Sequence, residues 1–572
     1  MDEQVNKVSI YKMSENVKDF DECMSVKISK NKIIDINTSS LVGKFYYDEI
    51  CSPNRKEDMS WIKFFNEKIN DHISGEYYNT YPRGIFFYKL KDMKNFYVMS
   101  FGLGGGGFIN KNKIVFDFGI KVAMNICDPD GLRRVQSSKV EAIALHSEKQ
   151  INSGARLSIF DIDDEKEFLR KIATKPLPQY SYISVITGSE AVQVKFGKEK
   201  KLDWDNLGKI TKELSELYFS QKYKDIFKNY DNFKFVNDKD QLKSDLDEVL
   251  LKSLRENNTG NVYLTSPDFF DYENFEFSYS KPNKKEESEE IERFSELSLS
   301  DCFSRYKIKD TTTVDNLKAW NIYKYDIEKK IFSKLSSVYK CLVAELDYHN
   351  SKFILFNGRW RQVDEELQNK ISNYFNKEKI KFEEYDDTIL LNNVSIWNGK
   401  TGKDSQYKES IYNEKCAKAN KSLFMFDRAK INYGEMCDLL SLNKEIIHVK
   451  RYEKGAASIS HLFVQAKYYT DIFISDSEAR NQMREFIDND ILDSNKVNYQ
   501  KNSNKFKDVI PESSPIDTNY TIILCILTEQ EKRIIDLPFM AQYEIYQTHK
   551  YLTNNRHFRV KFVNRIIVKQ QQ

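Results

Sequence analysis

Long apolar runs are missing from this sequence. No stretch approaches the ~18 consecutive apolar residues that a membrane-spanning helix needs. The first residues, Met1-Asp2-Glu3-Gln4-Val5, lack the basic start and the apolar run of a signal peptide. We therefore expect a cytoplasmic protein with no membrane partner.

An excess of one charge and paired cysteines are missing as well. The chain has 88 Lys and Arg against 86 Asp and Glu, a net charge of +2. Overall charge therefore neither favours nor excludes a nucleic-acid partner, and a site for a polyanion has to be a local patch. None of the eight cysteines forms a C-x-x-C pair, so a zinc site of known spacing is not expected.

Apolar residues are plentiful enough to fill more than one core. The chain has 572 residues, of which 40% are hydrophobic and 13% aromatic, and this size predicts two or three domains. Residues 280–293 are dense in charge and almost without apolar side chains, which indicates a linker or an exposed loop. We predict a mixed α+β region over 1–270 that senses or binds a partner, a charged linker or loop over 271–299, and an α/β domain over 300–572.

Local patterns predict individual helices and strands. Apolar residues at helical spacing predict helices over 207–224 and 241–257, and a third helix is expected over 320–340. Asn357-Gly358 between two apolar runs predicts a hairpin turn. Residues 102–107 are rich in glycine but do not form a phosphate-binding motif, because residues 109–119 resemble a turn and another strand rather than a helix.

The most specific chemical pattern lies in residues 446–451. Apolar and polar residues alternate there, and side chains of a strand alternate between its two faces. His448 and Lys450 are therefore expected on one face, with Ile447 and Val449 on the other.

A second strand-like run, residues 435–438, precedes this one. If the two runs form a hairpin around residues 442–444, Asp438 can lie near His448 and Lys450. A carboxylate beside a ligand-type residue and a lysine can hold a divalent metal and polarise a phosphodiester. The alternatives are a cross-strand ion pair of Asp438 with Lys450 on a solvated face, and a His448 that is simply packed in its strand.

The surrounding elements extend the pattern. A predicted helix that contains Glu409 comes first, then an apolar strand, the strand with Asp438, the strand with x-x-Lys450 and a further helix. This order resembles the core of the PD-(D/E)xK nuclease superfamily. The resemblance implies that Asp438 and Glu409 bind a metal, with Glu435 as another ligand, and that Lys450 orients or activates the attacking water.

His448 stands where that superfamily has Glu or Asp. The resemblance implies that His448 is a metal ligand and a member of the catalytic set, although imidazole is poorly matched to Mg²⁺. Gln465-x-x-x-Tyr469 resembles the Q-x-x-x-Y helix of recombination-type members. A restriction-endonuclease-like α/β core and a Mg²⁺ or Mn²⁺ cofactor are therefore expected in the C-terminal region.

A second resemblance covers nearly the whole chain. Its landmarks include Phe116-Asp117-Phe118-Gly119, Asp427-Arg428, Cys437-Asp438 and Leu537-Pro538-Phe539. They resemble a bacterial family of unknown function known only as a "sporadically distributed protein" family. Patchy distribution among bacteria implies carriage on mobile or defence islands.

The two resemblances together imply metal-dependent hydrolysis of DNA or RNA in bacterial antiviral defence. Arg451, Lys467 and Gln465 are then expected to contact the nucleic acid. A phage-derived or defence protein is a further expected partner, and a homo-oligomer is compatible with this interpretation. The alternative is a component of a defence island that binds nucleic acid or protein without cleavage.

Overall fold

The protein has a mixed α and β fold with twelve α-helices among the residues that the computed structural model describes. The described residues are 7–25, 33–54, 77–102, 105–140, 144–162, 167–197, 202–236, 241–267, 275–280, 291–327, 331–399, 408–427, 435–452, 457–513 and 519–568. This agrees with the α/β class expected from the sequence. None of the helices in these ranges is both long and apolar enough to cross a membrane.

The N-terminal part forms one ten-stranded antiparallel sheet, ordered β2-β3-β4-β5-β1-β10-β9-β8-β6-β7. Its strands are β1 (Lys7–Lys12), β2 (Ile33–Asn37), β3 (Leu41–Asn54), β4 (Tyr77–Leu90), β5 (Phe96–Gly102), β6 (Cys127–Val140), β7 (Ala144–Ala155), β8 (Glu167–Pro176), β9 (Ile183–Gly188) and β10 (Val192–Phe196). Two helices, α1 (Phe118–Asn125) and α2 (Trp204–Phe219), share a large apolar core with the sheet.

The glycine-rich segment lies in the layer that packs against this sheet through a second, smaller core. Gly105–Phe108 forms a 3₁₀ turn, and residues 103 and 104 lie outside the described residues. The strand expected over 109–119 is wrong. This stretch contains a second 3₁₀ turn, Lys111–Lys113, and the start of α1. Gly119 is required there, since a Cβ atom would lie 2.0 Å from the Ala191 carbonyl oxygen.

The middle of the chain builds two further antiparallel sheets. Their strands are β11 (Phe233–Phe235), β12 (Val262–Leu264), β13 (Phe275–Ser278), β14 (Asn321–Asp326), β15 (Ile331–Ser337), β16 (Leu342–Tyr348), β17 (Ser351–Phe356) and β18 (Arg359–Val363). The five-stranded sheet has the order β11-β18-β17-β16-β12, and β13, β14 and β15 form the other. The helices of this part are α3 (Gln241–Arg255), α4 (Leu299–Arg305), α5 (Val314–Ala319) and α6 (Val338–Cys341).

Two expectations for this part have different outcomes. The hairpin at Asn357-Gly358 is confirmed, since it joins β17 to β18 and both turn residues have positive φ, 52° and 68°. The helix expected over 320–340 is wrong, because β14 and β15 occupy most of that range. Pairing of β14 with both β13 and β15 stabilises the extended conformation over any local helical preference.

The five-stranded sheet does not follow the predicted domain boundary. Strands β11 and β12 come from the predicted N-terminal region, and they pair with β18 and β16 from the predicted C-terminal domain. Part of the predicted linker forms β13, while residues 281–290 lie outside the described residues. One sheet is therefore built from both sides of the charge-dense segment.

The C-terminal part forms a mixed five-stranded sheet with helices on both faces. Its strands are β19 (Leu423–Met425), β20 (Leu439–Ser441), β21 (Glu445–Arg451), β22 (Thr521–Thr528) and β23 (Arg559–Ile566), in this order. The helices are α7 (Glu365–Glu378), α8 (Glu409–Ala419), α9 (Ala457–Ser475), α10 (Ser477–Asp490), α11 (Ser503–Asp508) and α12 (Phe539–Lys550), followed by a π-helical turn, Tyr551–Asn555.

The type of strand pairing changes once across this sheet. The pairs β19–β20 and β20–β21 are antiparallel, and β21–β22 and β22–β23 are parallel. The apolar residues of β21 and β22 divide between two cores. Ile447 and Val449 lie with Tyr412 and Cys416 of α8, whereas Ile446 lies with residues of α9 and α12. Helix α8 therefore covers one face, and helices α9 and α12 cover the other.

Candidate functional site

The predicted hairpin around residues 442–444 forms between β20 and β21. Leu439 pairs with Ile447 and Ser441 pairs with Glu445, and Lys444 adopts the positive φ of 58° that closes the turn. Asp438 directly precedes β20, and its backbone N–H donates to the Ile447 carbonyl at 3.0 Å. The hairpin therefore holds the Asp438 backbone beside the middle of β21.

Three carboxylates meet at this end of β20. One oxygen each from Asp427, Glu435 and Asp438 lies within 4.8 Å of the other two, and all three residues are partly buried. Asp427 comes soon after β19, which pairs with β20, so two neighbouring strands bring the acidic residues together. Oxygen atoms at this spacing are the ligand type that Mg²⁺ and Mn²⁺ prefer.

The electrostatics of the cluster favour a cation. Burial, with the negative charges of Asp427 and Glu435, raises the pKa of Asp438 to about 7, while the Val449 backbone hydrogen bond and Lys450 act in the opposite direction. A bound divalent ion would offset this repulsion. The donor set of three oxygens therefore fits the divalent metal that the sequence predicts.

Asn413 of α8 holds two members of the cluster in place. Its fully buried Nδ2 atom donates to Asp427 Oδ2 and to Asp438 Oδ1, both at 3.1 Å. The Val449 backbone N–H donates to the other Asp438 oxygen at 2.8 Å. Both oxygens of Asp438 are thus oriented by hydrogen bonds from α8 and β21.

Glu409 and Lys450 lie beside this cluster. Glu409 is one helical turn from Asn413 on α8, which places it on the Asp438 side of the sheet. Lys450 Nζ is 3.2 Å from Glu409 Oε1, so Lys450 pairs with Glu409 and not with Asp438, its partner in the alternative interpretation. Burial acts to raise the pKa of Glu409, but Lys450 and backbone N–H groups together bring this pKa below its usual value. The structure therefore pairs Glu409 with Lys450, whereas the three-carboxylate cluster consists of Asp427, Glu435 and Asp438.

His448 does not belong to this group. It is 2% exposed, and strand alternation places it on the face of Ile446, away from α8. Burial lowers the pKa of His448 to about 4, with no contribution from the carboxylates. Strand alternation places Lys450 on the same face as His448. The long Lys450 side chain, near the end of β21, nevertheless reaches Glu409 of α8.

The residues predicted to contact nucleic acid have different surroundings. Arg451 lies 3.5 Å from Glu529, and Lys467 lies 3.9 Å from the buried Glu544. Gln465 is half-buried on α9. One turn further along this helix, Tyr469 forms a hydrogen bond with the Glu435 backbone, so α9 reaches the carboxylate cluster through Tyr469.

Two site residues escaped the sequence interpretation. Asp427 and Asn413 both stand in landmarks of the resembling bacterial family, Asp427-Arg428 and Glu409-x-x-Tyr412-Asn413, but the sequence assigned no role to either. The available signal was the position of Asp427 just after a strand that neighbours the Asp438 strand. Asn413 carries no such signal, since its spacing from Glu409 only shows that both lie on one side of a helix.

Comparison with known proteins supplies a family and no activity. Residues 8–564 match a family of unknown function (DUF6119). No curated protein and no solved structure matches the chain. The match agrees with the resemblance to an uncharacterised family over nearly the whole chain.

Proposed function

Since the chain belongs to DUF6119, a family of unknown function, we propose its activity from the site itself: metal-dependent hydrolysis of phosphodiester bonds in DNA or RNA. The observation that carries this proposal is the cluster of Asp427, Glu435 and Asp438 within 4.8 Å, with the Glu409–Lys450 ion pair beside it. The resemblance to a sporadically distributed bacterial family extends the proposal to antiviral defence.

The order of elements supports the same activity. Helix α8 is followed by three antiparallel strands, β19, β20 and β21, and then by helix α9. This is the order in which the sequence resembles the PD-(D/E)xK core. Asp427 follows the first of these strands, Glu435 and Asp438 precede the second, and Lys450 lies on the third.

Each residue has a distinct role in the proposal. Asp427, Glu435 and Asp438 hold a Mg²⁺ or Mn²⁺ ion, and Asn413 orients two of these carboxylates. When bound, such an ion would supply Lewis-acid polarisation of a phosphate oxygen. Glu409 holds Lys450, whose ammonium group orients a water molecule or stabilises negative charge that develops on the phosphate. This role requires the positive charge of Lys450, and the ion pair with Glu409 holds its ammonium group in position.

The test is cleavage of mixed single- and double-stranded DNA and RNA with Mg²⁺, with Mn²⁺ or with a chelator. We expect Lys450→Ala to reduce metal-dependent cleavage by about 100-fold or more, the scale of a lost charge-stabilising group. Asp438→Asn should abolish Mn²⁺-induced thermal stabilisation together with cleavage. Lys418→Ala is the matched control, because Lys418 lies on α8, is exposed and pairs with Glu414.

A second candidate function is nucleic-acid binding without cleavage. It is favoured by His448, which stands where the resembling nucleases carry an acidic ligand and which lies buried outside the cluster. In this case Lys450→Ala weakens nucleic-acid binding in a salt-dependent way. This second function would be supported if the wild-type protein binds nucleic acid but does not cleave it with either metal.

A further inference from the structure

A cavity of about 320 Å³ lies between the N-terminal ten-stranded sheet and the middle five-stranded sheet. Its walls include Arg170 and Lys171 of β8 from one side, and Phe235 of β11 and Arg361 of β18 from the other. Volumes of this size are typical of small-molecule sites at domain junctions. The cavity is built from different sheets than the carboxylate cluster, so ligand binding there does not depend on the proposed hydrolysis.

Arg361 is the most unusual residue of this cavity. Only 7% of it is exposed, and its guanidinium group lies 4.0 Å from the Phe235 ring centroid and 4.5 Å from that of Phe168. In the described part of the chain, Arg361 has no carboxylate partner, and its buried Nε–H has no acceptor. Burial lowers the pKa of Arg361 to about 10, so the group keeps its charge at neutral pH.

The buried guanidinium group of Arg361 needs a negative charge nearby to compensate its own. Removing a guanidinium group from water is costly unless hydrogen bonds and an opposite charge compensate it, and the two aromatic rings supply only a cation–π interaction. An arginine that faces a cavity presents a planar fork of donors to a phosphate. The missing partner of Arg361 is therefore most simply an anionic ligand.

A bulge in β8 brings two more cationic side chains to the same cavity. Gln136 of β6 pairs with Lys171, and the next residue, Ser137, pairs with Leu169, so Arg170 is an extra residue in β8. Such a bulge redirects side chains that would otherwise point to opposite faces. Arg170 and Lys171 both line the cavity as a result.

The lining has an excess of positive charge. Five cationic side chains face two carboxylates, those of Asp117 and Glu190. Asp117 already pairs with Lys121 at 2.8 Å and accepts a hydrogen bond from the Tyr218 hydroxyl at 2.9 Å. Glu190 lies 3.9 Å from Lys111. The carboxylates are thus engaged elsewhere on the wall, and the charge of Arg361 remains for a ligand.

Aromatic rings make up much of the remaining wall. They are Tyr11, Phe116, Tyr230, Phe235 and Phe356. Faces of aromatic side chains bind planar bases by stacking with little preference for sequence. We propose that this cavity binds a mononucleotide, with its phosphates against Arg361, Arg170 and Lys171 and its base against the aromatic wall.

The test uses the full chain and calorimetric titration with ATP, GTP, adenosine and pyrophosphate. We expect ATP or GTP to bind at least about tenfold more tightly than adenosine, because the phosphates carry the charge-assisted hydrogen bonds. Arg361→Met and Lys171→Met should each weaken nucleotide binding by about tenfold or more. Arg156→Met is the control, since Arg156 is an exposed arginine that pairs with Asp130 outside the cavity.

Thermal unfolding of each variant separates lost binding from lost folding. Lys171 is only half-buried, so Lys171→Met keeps the test decisive if Arg361→Met fails to fold. No binding of either nucleotide to the wild type would overturn the proposal. It would also be overturned by pyrophosphate binding as tightly as ATP, or by Lys171→Met binding nucleotide as tightly as the wild type.

Discussion

His448 and Lys450 are two residues apart on β21 and have different surroundings. Lys450 is about one-third exposed and pairs with Glu409, whereas His448 is buried on the face of Ile446. An imidazole without a nearby carboxylate in such a place stays neutral, because burial penalises its charged form. The chemistry of the two residues is therefore set by where their side chains lie.

The buried His448 predicts sensitivity to acid. The pKa of His448 is about 4 in the folded chain and about 6.5 when unfolded, so the unfolded chain takes up a proton first as the pH falls. Stability is therefore lost between about pH 6.5 and pH 4. From pH 7 to pH 5 we expect His448 to contribute a loss of about 2 kcal/mol to the free energy of unfolding.

Denaturant unfolding of the wild type and His448→Gln at the two pH values measures this loss. The variant should lose less stability than the wild type on acidification by about that amount. His461→Gln is the control, because His461 is exposed on α9, and it should behave as the wild type does. Equal losses in all three proteins would show that His448 titrates normally.

At the scale of elements, the hairpin of β17 and β18 places Arg361 and Trp360. Trp360 is 1% exposed, and its Nε1–H donates to the buried Asp247 at 2.8 Å, while Arg361 lies at the cavity. The turn at Asn357 and Gly358 sets the register of the two strands. Both turn residues have positive φ, which suits Asn and Gly.

We expect Gly358→Ala to destabilise the chain by about 1–2 kcal/mol, since an alanine at a φ of 68° is strained and its Cβ atom would lie 3.0 Å from Lys340 Cγ. Asn357→Gly should stay within about 0.5 kcal/mol, because glycine adopts this conformation without strain. Denaturant unfolding of both variants measures the difference. A Gly358→Ala chain as stable as the wild type would contradict the turn geometry.

At the scale of the whole molecule, a buried carboxyl links the middle sheet to the C-terminal part. Glu345 of β16 accepts a hydrogen bond from the Met540 backbone N–H at 3.1 Å, at the start of α12. Burial raises the pKa of Glu345 to about 7. This side chain therefore connects strand β16 to helix α12, 195 residues later in the sequence.

The raised pKa of Glu345 predicts a loss of folding stability as the pH becomes alkaline. The folded chain holds this proton more tightly than the unfolded chain, whose Glu titrates near 4.5, so stability from Glu345 is lost as the pH rises through about 7. Between pH 6 and pH 8 we expect the wild type to lose about 1 kcal/mol relative to Glu345→Gln. Glu366→Gln, on the first turn of α7, is the control. An identical pH dependence in wild type and Glu345→Gln would contradict this assignment.

The sequence alone was sufficient for features that depend on near neighbours. Period-two alternation and turn residues located β21, the hairpin around residues 442–444 and the turn at Asn357 and Gly358. Helix α3 ends within two residues of its predicted end. These elements could be predicted because their patterns lie within a few residues of one another.

The tertiary structure decided everything that depends on distant partners. Pairing of β19 with β20 brings Asp427 to Asp438, and packing of α8 on this sheet brings Asn413 to both. Strands β11 and β12 join β18 and β16 across the predicted boundary, and His448 turns into a core that residues of α9 and α12 supply. No local pattern encodes these contacts, because sheet pairing and core packing are set by the free energy of the whole fold rather than by neighbouring residues.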